Sequence, residues 1–231
     1  MDSSRVLQVT GNSEAADGLR LISLDVGSTI SSNFKVPGQY VKAKLPAMEK
    51  PGFFAIASPP RSESTFDFLI KRTDGSSWFC DASVGDSVEV SMPQGPGYKY
   101  AEKFGSSITD VVLLATGSGI APLKAVVESK ELKGKNVKLY YGCRTPASMG
   151  FKDDIAKWEK ECGVTVVPCI SQGDVPAGMR SGYVQKVMME DGIASPKSTG
   201  VLFCGVNDMV KEAKELLEAA GVDKDMMLGN F

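Results

Sequence analysis

Residues 111–123, "VVLLATGSGIAPL", decide how the rest of this chain is read. Val111 to Ala115 form an unbroken apolar run, as expected of a strand buried on both faces of a parallel sheet. The run stops at Gly117 and Gly119, and helical spacing begins near Ala121. Such an elbow turns backbone N–H groups and the positive end of a helix toward an anion such as a phosphate. The same elbow also serves as a tight corner with no ligand. Ser118 adds a hydroxyl donor. Pro122 fits a first helical turn because its missing N–H has no intrahelical acceptor there.

Downstream, strand and helix patterns alternate. "NVKLYYG", "VTVVPCI" and "GVLFCG" read as strands, and "KDDIAKWEKEC", "YVQKVMME" and "NDMVKEAKELLEAAG" as helices, the last closed by Gly221. Alternation of this kind predicts a doubly wound parallel sheet, with ligands beyond the carboxyl ends of its strands. Upstream the rhythm differs. "RVLQV", "LRLISLDV", "QYVKAKL", "FFAIAS", "FDFLIKR" and "DSVEVSM" are short strand patterns, separated by "VPG", "KPG", "TDG" and "PQGPG". These predict a small antiparallel barrel. The expected fold class is therefore a β-barrel followed by an α/β unit. The expected division is 1–105 and 106–231, within the connecting stretch "GPGYKYAEKFGSSI".

Composition removes several function classes. The 231 residues include no histidine, which excludes histidine-dependent triads and histidine-ligated metals. Five cysteines, Cys80, Cys143, Cys162, Cys169 and Cys204, show no C-x-x-C spacing, and their number is odd. That opposes a zinc site, an iron–sulfur cluster or a disulfide framework, and favours a reducing compartment. Redox chemistry then requires a bound organic cofactor. A net charge of −2 gives no reason to expect nucleic acid. No apolar run approaches the roughly 20 residues that span a bilayer, and the first residues lack the features of a signal or transit peptide.

The elbow departs from the G-x-G-x-x-G fingerprint: Pro122 stands at the third glycine, and the second strand of this half ends in Arg144 rather than an acid. Together with "FCG" (Cys204, Gly205) and a terminal aromatic, Phe231, however, "GSGIAP" resembles the ferredoxin–NADP reductase superfamily of flavin reductases. The likeness extends over essentially the whole chain and is closest to the plant chloroplast ferredoxin–NADP reductase-like flavoproteins. It implies FAD on the barrel, NADPH or NADH on the sheet, and hydride transfer in the cleft between them. It also implies a chloroplast location, with the transit peptide absent from this chain.

By that resemblance Gly117, Ser118, Gly119, Ile120 and Pro122 fall on the nicotinamide and pyrophosphate loop. Cys204 and Gly205 fall beside the hydride-transfer position, and Phe231 on the aromatic that stacks on the flavin. Read without the family, Cys204 is a small buried filler and Phe231 a frayed end. In the barrel, "GFFAIAS" matches the flavin motif only in part. Gly52 replaces its phosphate-binding arginine, Phe54 its stacking tyrosine, and Ala55 a serine that bonds flavin N5. Ile56, Ala57 and Ser58 complete that segment. Leu69, Ile70 and Lys71 match the next flavin-lining strand, and Gly75, Ser76 and Ser77 a second pyrophosphate loop. Ser171 and Gln172 fall where NADPH users place a Ser–Arg pair. A neutral amide does not pair with phosphate as arginine does, which leaves Arg144 and Lys152 as substitute cations.

The expected activity is an FAD-dependent oxidoreductase that accepts hydride from NAD(P)H. A flavin-binding sensor or interaction protein with little turnover is the alternative, favoured by Gly52, Ala55 and Gln172. Ferredoxin as acceptor is implied by the resemblance alone. Lys35, Lys42, Lys44, Arg61 and Lys71 are scattered and form no concentrated basic patch.

Overall fold

The computed structural model describes residues 4–60 and 64–230. Two six-stranded sheets share them. The first comprises β1 (Arg5–Ala16), β2 (Leu19–Asp25), β3 (Tyr40–Lys44), β4 (Gly52–Ala55), β5 (Thr65–Lys71) and β6 (Ser87–Val90), in the order β4-β3-β6-β1-β2-β5. Every pairing is antiparallel. Its inward face follows the two-residue period: Ile22 and Leu24 on β2 and Phe66, Phe68 and Ile70 on β5 enter one core. The outer strands are drawn toward closure just past β4. Ala57 N–H donates to Asp67 O at 2.8 Å, and Asp67 N–H donates to Ser58 Oγ at 3.2 Å. The sheet is barrel-like as a result. Two short helices lie within this half, α1 (Gly27–Ser31) and α2 (Ser77–Cys80).

The connecting stretch contains α3 (Tyr100–Lys103) and leads to the second sheet. This sheet comprises β7 (Asp110–Thr116), β8 (Asn136–Cys143), β9 (Val164–Ile170), β10 (Arg180–Ser181), β11 (Thr199–Cys204) and β12 (Met227–Gly229). Its order is β10-β9-β8-β7-β11-β12, all parallel. The helices are α4 (Ile120–Ser129), α5 (Ile155–Lys157), α6 (Val184–Asp191) and α7 (Asn207–Ala219). Successive residues of β7 serve opposite cores. Val111, Leu113 and Ala115 pack with Leu123 and Val126 of α4, whereas Val112 and Leu114 pack with Met188 of α6 and Ala213 and Leu217 of α7. This two-sided burial is why the strand reads as a continuous apolar run.

The expected helix over "KDDIAKWEKEC" is helical but irregular: a 3-10 turn at 152–154, α5, then a π turn at 158–162. The widened turn coincides with Trp158, which is fully buried and donates Nε1–H to Glu128 Oε1 at 3.0 Å. The edge strands β10 and β12 carried no sequence signal. They are two and three residues long and borrow their hydrogen bonds from β9 and β11.

The two sheets are packed together by one apolar cluster. Leu19, Ala57 and Leu69 of the first half join Tyr98, Tyr100 and Phe104 of the connector and Leu113, Leu123 and Met149 of the second. Tyr98 is fully buried, and its hydroxyl donates to Phe203 O at 2.9 Å. The turn between β1 and β2 is held from the other side, Asp17 N–H donating to Ala147 O at 2.9 Å.

Candidate functional site

Strand order in the parallel sheet reverses direction between β7 and β11, and an open crevice is expected beyond their carboxyl ends. A cleft of about 390 Å³ lies there, walled by both sheets. The parallel sheet contributes Thr116, Ser118, Gly119, Ala121, Pro122, Cys204, Gly205 and Val206. The antiparallel sheet contributes Phe53, Phe54, Ala55, Phe68, Leu69, Ile70, Lys71 and Ser76. Among the described residues, Lys71 is the single charged side chain in that lining.

On the parallel side the two sequence motifs are locked to each other. A Cβ on Gly119 would collide with the Cys204 carbonyl and lie 3.0 Å from Gly205 Cα. A Cβ on Gly205 would collide with Thr116 Oγ1 and lie 2.7 Å from Met209 Cε. The Thr116 hydroxyl also accepts from Val206 N–H at 3.1 Å. Thr116 was not singled out from the sequence, because a threonine closing a strand is unremarkable until its partner is known. Gly117 has a different reason to be glycine: its φ is +54° and nothing crowds its Cβ position. Ile120 is fully buried at the start of α4, directly behind the cleft.

Burial pushes the Cys204 thiol up to about 12, partly offset by the neighbouring Tyr98 hydroxyl. Cys204 therefore remains a protonated thiol at neutral pH. Asn230 is buried, and its Nδ2 lies 3.5 Å from Gly38 O, against the barrel. Phe231 lies outside the described residues.

On the antiparallel side Phe54 is half-buried at the centre of an aromatic set. Its ring stands edge-on to Phe79 at 5.0 Å and to Trp78 at 5.8 Å. Trp78 stacks on Phe79 at 4.8 Å. A Cβ on Gly52 would lie 2.8 Å from two atoms of the Phe54 ring. The ring thus folds back over its own strand into space that a larger residue 52 would take. Ser76 Oγ accepts from Thr73 N–H at 3.0 Å and donates to Lys71 O at 2.6 Å. Ser77 Oγ donates to Asp74 O at 3.3 Å. Both hydroxyls shape the turn, and the Gly75 carbonyl accepts from Trp78 Nε1–H at 3.1 Å. Gly75 and Ser77 flank the cleft without lining it.

Ile56, Ala57 and Ser58 are not brought to the cleft. All three are buried: Ile56 enters the barrel core, and Ala57 and Ser58 carry the hydrogen bonds that draw β4 toward β5. Arg144, Ser171 and Gln172 lie farther along the same carboxyl-end rim, past β8 and β9. Parallel pairing continues beyond the strands there: Ser171 N–H donates to Cys143 O at 3.0 Å and Gln172 N–H to Arg144 O at 2.9 Å. Among the described residues, no group of three His, Cys, Asp or Glu side chains could hold a metal ion.

Residues 113–215 match the oxidoreductase NAD-binding domain family. Fruit protein pKIWI502 of Actinidia deliciosa is 31% identical over 230 residues, covering 93% of this chain and 72% of that protein. The reductase component of propane 2-monooxygenase from Mycolicibacterium goodii is 29% identical, covering 97% of this chain and 65% of that protein. The chain spans less than two thirds of that component's length. In fold, the chain is similar to a ferredoxin NADP+ reductase of Neisseria gonorrhoeae with bound FAD and NADP. Their TM-score is 0.84 and identity 20%, over 100% of both chains. It is also similar to the Amycolatopsis cytochrome P450 reductase GcoB, with a TM-score of 0.85 and 21% identity over 98% of this chain and 69% of that one.

Proposed function

Because this chain belongs to the ferredoxin–NADP reductase superfamily, whose members bind FAD and NAD(P), we propose that it is an NAD(P)H oxidoreductase working in the cleft between its two sheets. In this reading FAD lies against β4 and β5, the pyridine nucleotide lies on the elbow after β7, and electrons leave to a separate carrier. The observation that carries the reading is the shared cleft at the carboxyl ends of β7 and β11, faced by Phe54 and Leu69 from the other sheet.

The residues present fit both groups. Apolar Phe54, Leu69 and Ile70 offer a surface for an aromatic ring system and exclude water from it. The Gly117–Gly119 backbone and the start of α4 aim N–H groups at a phosphate, and Ser118 adds a hydroxyl. Lys71 supplies the one positive charge that the described residues bring to the cleft. Cys204 keeps its proton on Sγ, so no thiolate charge opposes the approach of a hydride donor. Bound FAD supplies the conversion from a two-electron donor to one-electron acceptors. Gly52 stands in place of an arginine, the Ser76 and Ser77 hydroxyls are committed to their own turn, and the backbone N–H groups of both serines donate to Thr73 O at 3.1 and 2.8 Å. The Gly75 and Trp78 N–H groups of this turn would be the ones left to hold flavin phosphates.

Ferredoxin is the acceptor that the superfamily resemblance suggests, and reductase components of oxygenases are the relatives by sequence. Either implies a protein acceptor that brings its own metal centre. A plastid location rests on the resemblance alone, and subcellular fractionation tests it. Among the described residues no helix is long and apolar enough to cross a membrane.

The second reading, a flavin-binding protein with little turnover, is favoured by Ala55, which puts a methyl group in the cleft where the family has a hydroxyl. An absorption spectrum taken anaerobically separates the two. The oxidoreductase reading expects a yellow protein that bleaches on adding NADPH or NADH and recolours with an electron-accepting dye. Yellow protein that does not bleach supports the second reading. Protein that stays colourless after incubation with FAD overturns both.

A further inference from the structure

Gly150, in the stretch between β8 and α5, is a glycine for space rather than for conformation. Its φ lies outside the left-handed region, so an L-residue is free to adopt the same backbone. What a side chain there would meet is the other half of the molecule. A Cβ on Gly150 would stand 3.0 Å from Leu69 Cδ2, 3.4 Å from Leu69 Cδ1 and 3.3 Å from Leu19 Cδ1. Leu69 is also one of the β5 residues that wall the cleft. One side chain thus rests its methyl groups on Gly150 and borders the space assigned above to the flavin.

The segment that carries Gly150 is pinned on both sides of it. Three residues earlier, Ala147 O accepts from Asp17 N–H at 2.9 Å. Met149 is buried in the apolar cluster that joins the two halves. Phe151 has a φ of +56°, a conformation that a bulky residue keeps only where its surroundings hold it. Its ring centroid lies 5.3 Å from Lys124 Nζ of α4, and Lys124 is itself paired with Glu128 at 2.6 Å. Leu19 is buried in the same cluster. The neighbour with room to move is Leu69, and the room is the cleft. We propose that Gly150 is a positioning residue for the flavin: its missing side chain lets Leu69 settle against the parallel half and sets how far Leu69 stands into the cleft. The inference rests on the flavin reading given above and adds to it a residue outside the cleft lining. A side chain at 150 drives Leu69 toward the flavin ring, because an overpacked site relieves itself by displacing the neighbour that has space.

A double-mutant cycle on the whole chain tests this without needing catalysis. Wild type, Gly150→Ala, Leu69→Val and the double variant are each titrated with FAD, and the visible absorption and circular dichroism of the bound flavin are recorded. Gly150→Ala is expected to weaken FAD binding about five-fold or more and to shift the flavin spectrum, which a loss of stability alone would not move. Leu69→Val lacks both Cδ atoms, so adding Gly150→Ala to it is expected to change neither affinity nor spectrum further. The contact with Leu19 is present in both backgrounds and cancels. A wild-type affinity and spectrum in Gly150→Ala, or an equal loss in both backgrounds, would overturn the role of Gly150 and leave the flavin reading in place. If Gly150→Ala does not fold, the double variant decides: folded and binding FAD like Leu69→Val, it supports the role, and unfolded it overturns it. Wild-type protein that takes up no FAD would overturn the flavin reading and this inference together.

Discussion

Gly119 is seated on the backbone of Cys204 so closely that a Cβ there would stand 2.7 Å from the Cys204 carbonyl carbon. The glycine after Ser118 therefore serves the packing of the elbow onto β11, whereas Gly117, two residues earlier, serves a left-handed turn in open space. The two substitutions to alanine are expected to differ. Gly117→Ala meets only backbone strain, roughly 1 kcal/mol. Gly119→Ala must push β11 from the elbow, and is expected to cost more stability and to abolish NAD(P)H-dependent dye reduction. Urea unfolding of both variants, with activity alongside, decides it. Equal destabilisation would contradict the packing account.

Asp191, at the end of α6, gathers Lys138, Arg180 (2.8 Å) and the Tyr140 hydroxyl (2.9 Å) around one carboxylate. Burial pushes this carboxyl upward, but hydrogen bonds from Lys138, Arg180 and Tyr140 outweigh it and bring it down to about 2. A lowered carboxylate stabilises the fold above its ordinary range near pH 4 and loses that contribution as pH falls toward 2. Because the cluster is partly open to solvent, its worth is discounted to about 1 kcal/mol at neutral pH. Asp191→Asn is expected to lose that amount at pH 7 and to converge with wild type near pH 2, as read from urea midpoints. A gap that persists at pH 2 would refute the charge-based account.

Cys204 differs from a reactive cysteine because burial holds its thiol at about 12. Alkylation by iodoacetamide at pH 8 is expected to be slower than that of a free thiol by on the order of a hundred-fold, since the thiolate is the nucleophile. Turnover is likewise expected to show no inflection from this group between pH 6 and 9. Mass spectrometry of timed labelling reports Cys204 directly. Rapid labelling at neutral pH would show that the thiol is ionised and would remove the argument that it stays uncharged during hydride transfer.

What the sequence made legible follows from how local each signal was. The apolar run 111–115, the glycine elbow and the six short strand patterns each depend on neighbouring residues, and each marked its element. Thr116 and Tyr98 were invisible because their partners, Gly205 and Phe203, lie 89 and 105 residues away. Ile56, Ala57 and Ser58 followed Phe54 and Ala55 in the motif, yet the chain leaves the cleft after Ala55 to draw β4 toward β5, a turn that depends on Asp67. Positions set by distant pairing are the ones that a linear reading does not locate.

Gly52 and Phe54 form a pair whose coupling bears on flavin affinity. The Phe54 ring lies over Gly52, with a hypothetical Cβ at 2.8 Å, and against Trp78 and Phe79 on its other sides. Any side chain at 52 displaces the ring from the cleft wall, so restoring the superfamily's arginine there is not a gain of function. Gly52→Arg is expected to weaken FAD binding several-fold despite its added charge, because the lost ring contact outweighs an exposed ion pair worth about 1 kcal/mol or less. Gly52→Ala, which adds the steric conflict without the charge, is expected to weaken it as well. Phe54→Leu, which removes the clash along with the ring, is expected to let arginine at 52 recover part of the loss. Titration of apoprotein with FAD, followed by quenching of flavin fluorescence, measures all four proteins on one scale. If Gly52→Arg alone bound FAD more tightly than wild type, the guanidinium would have reached the phosphates without moving Phe54, and the coupling argued from the 2.8 Å contact would be wrong.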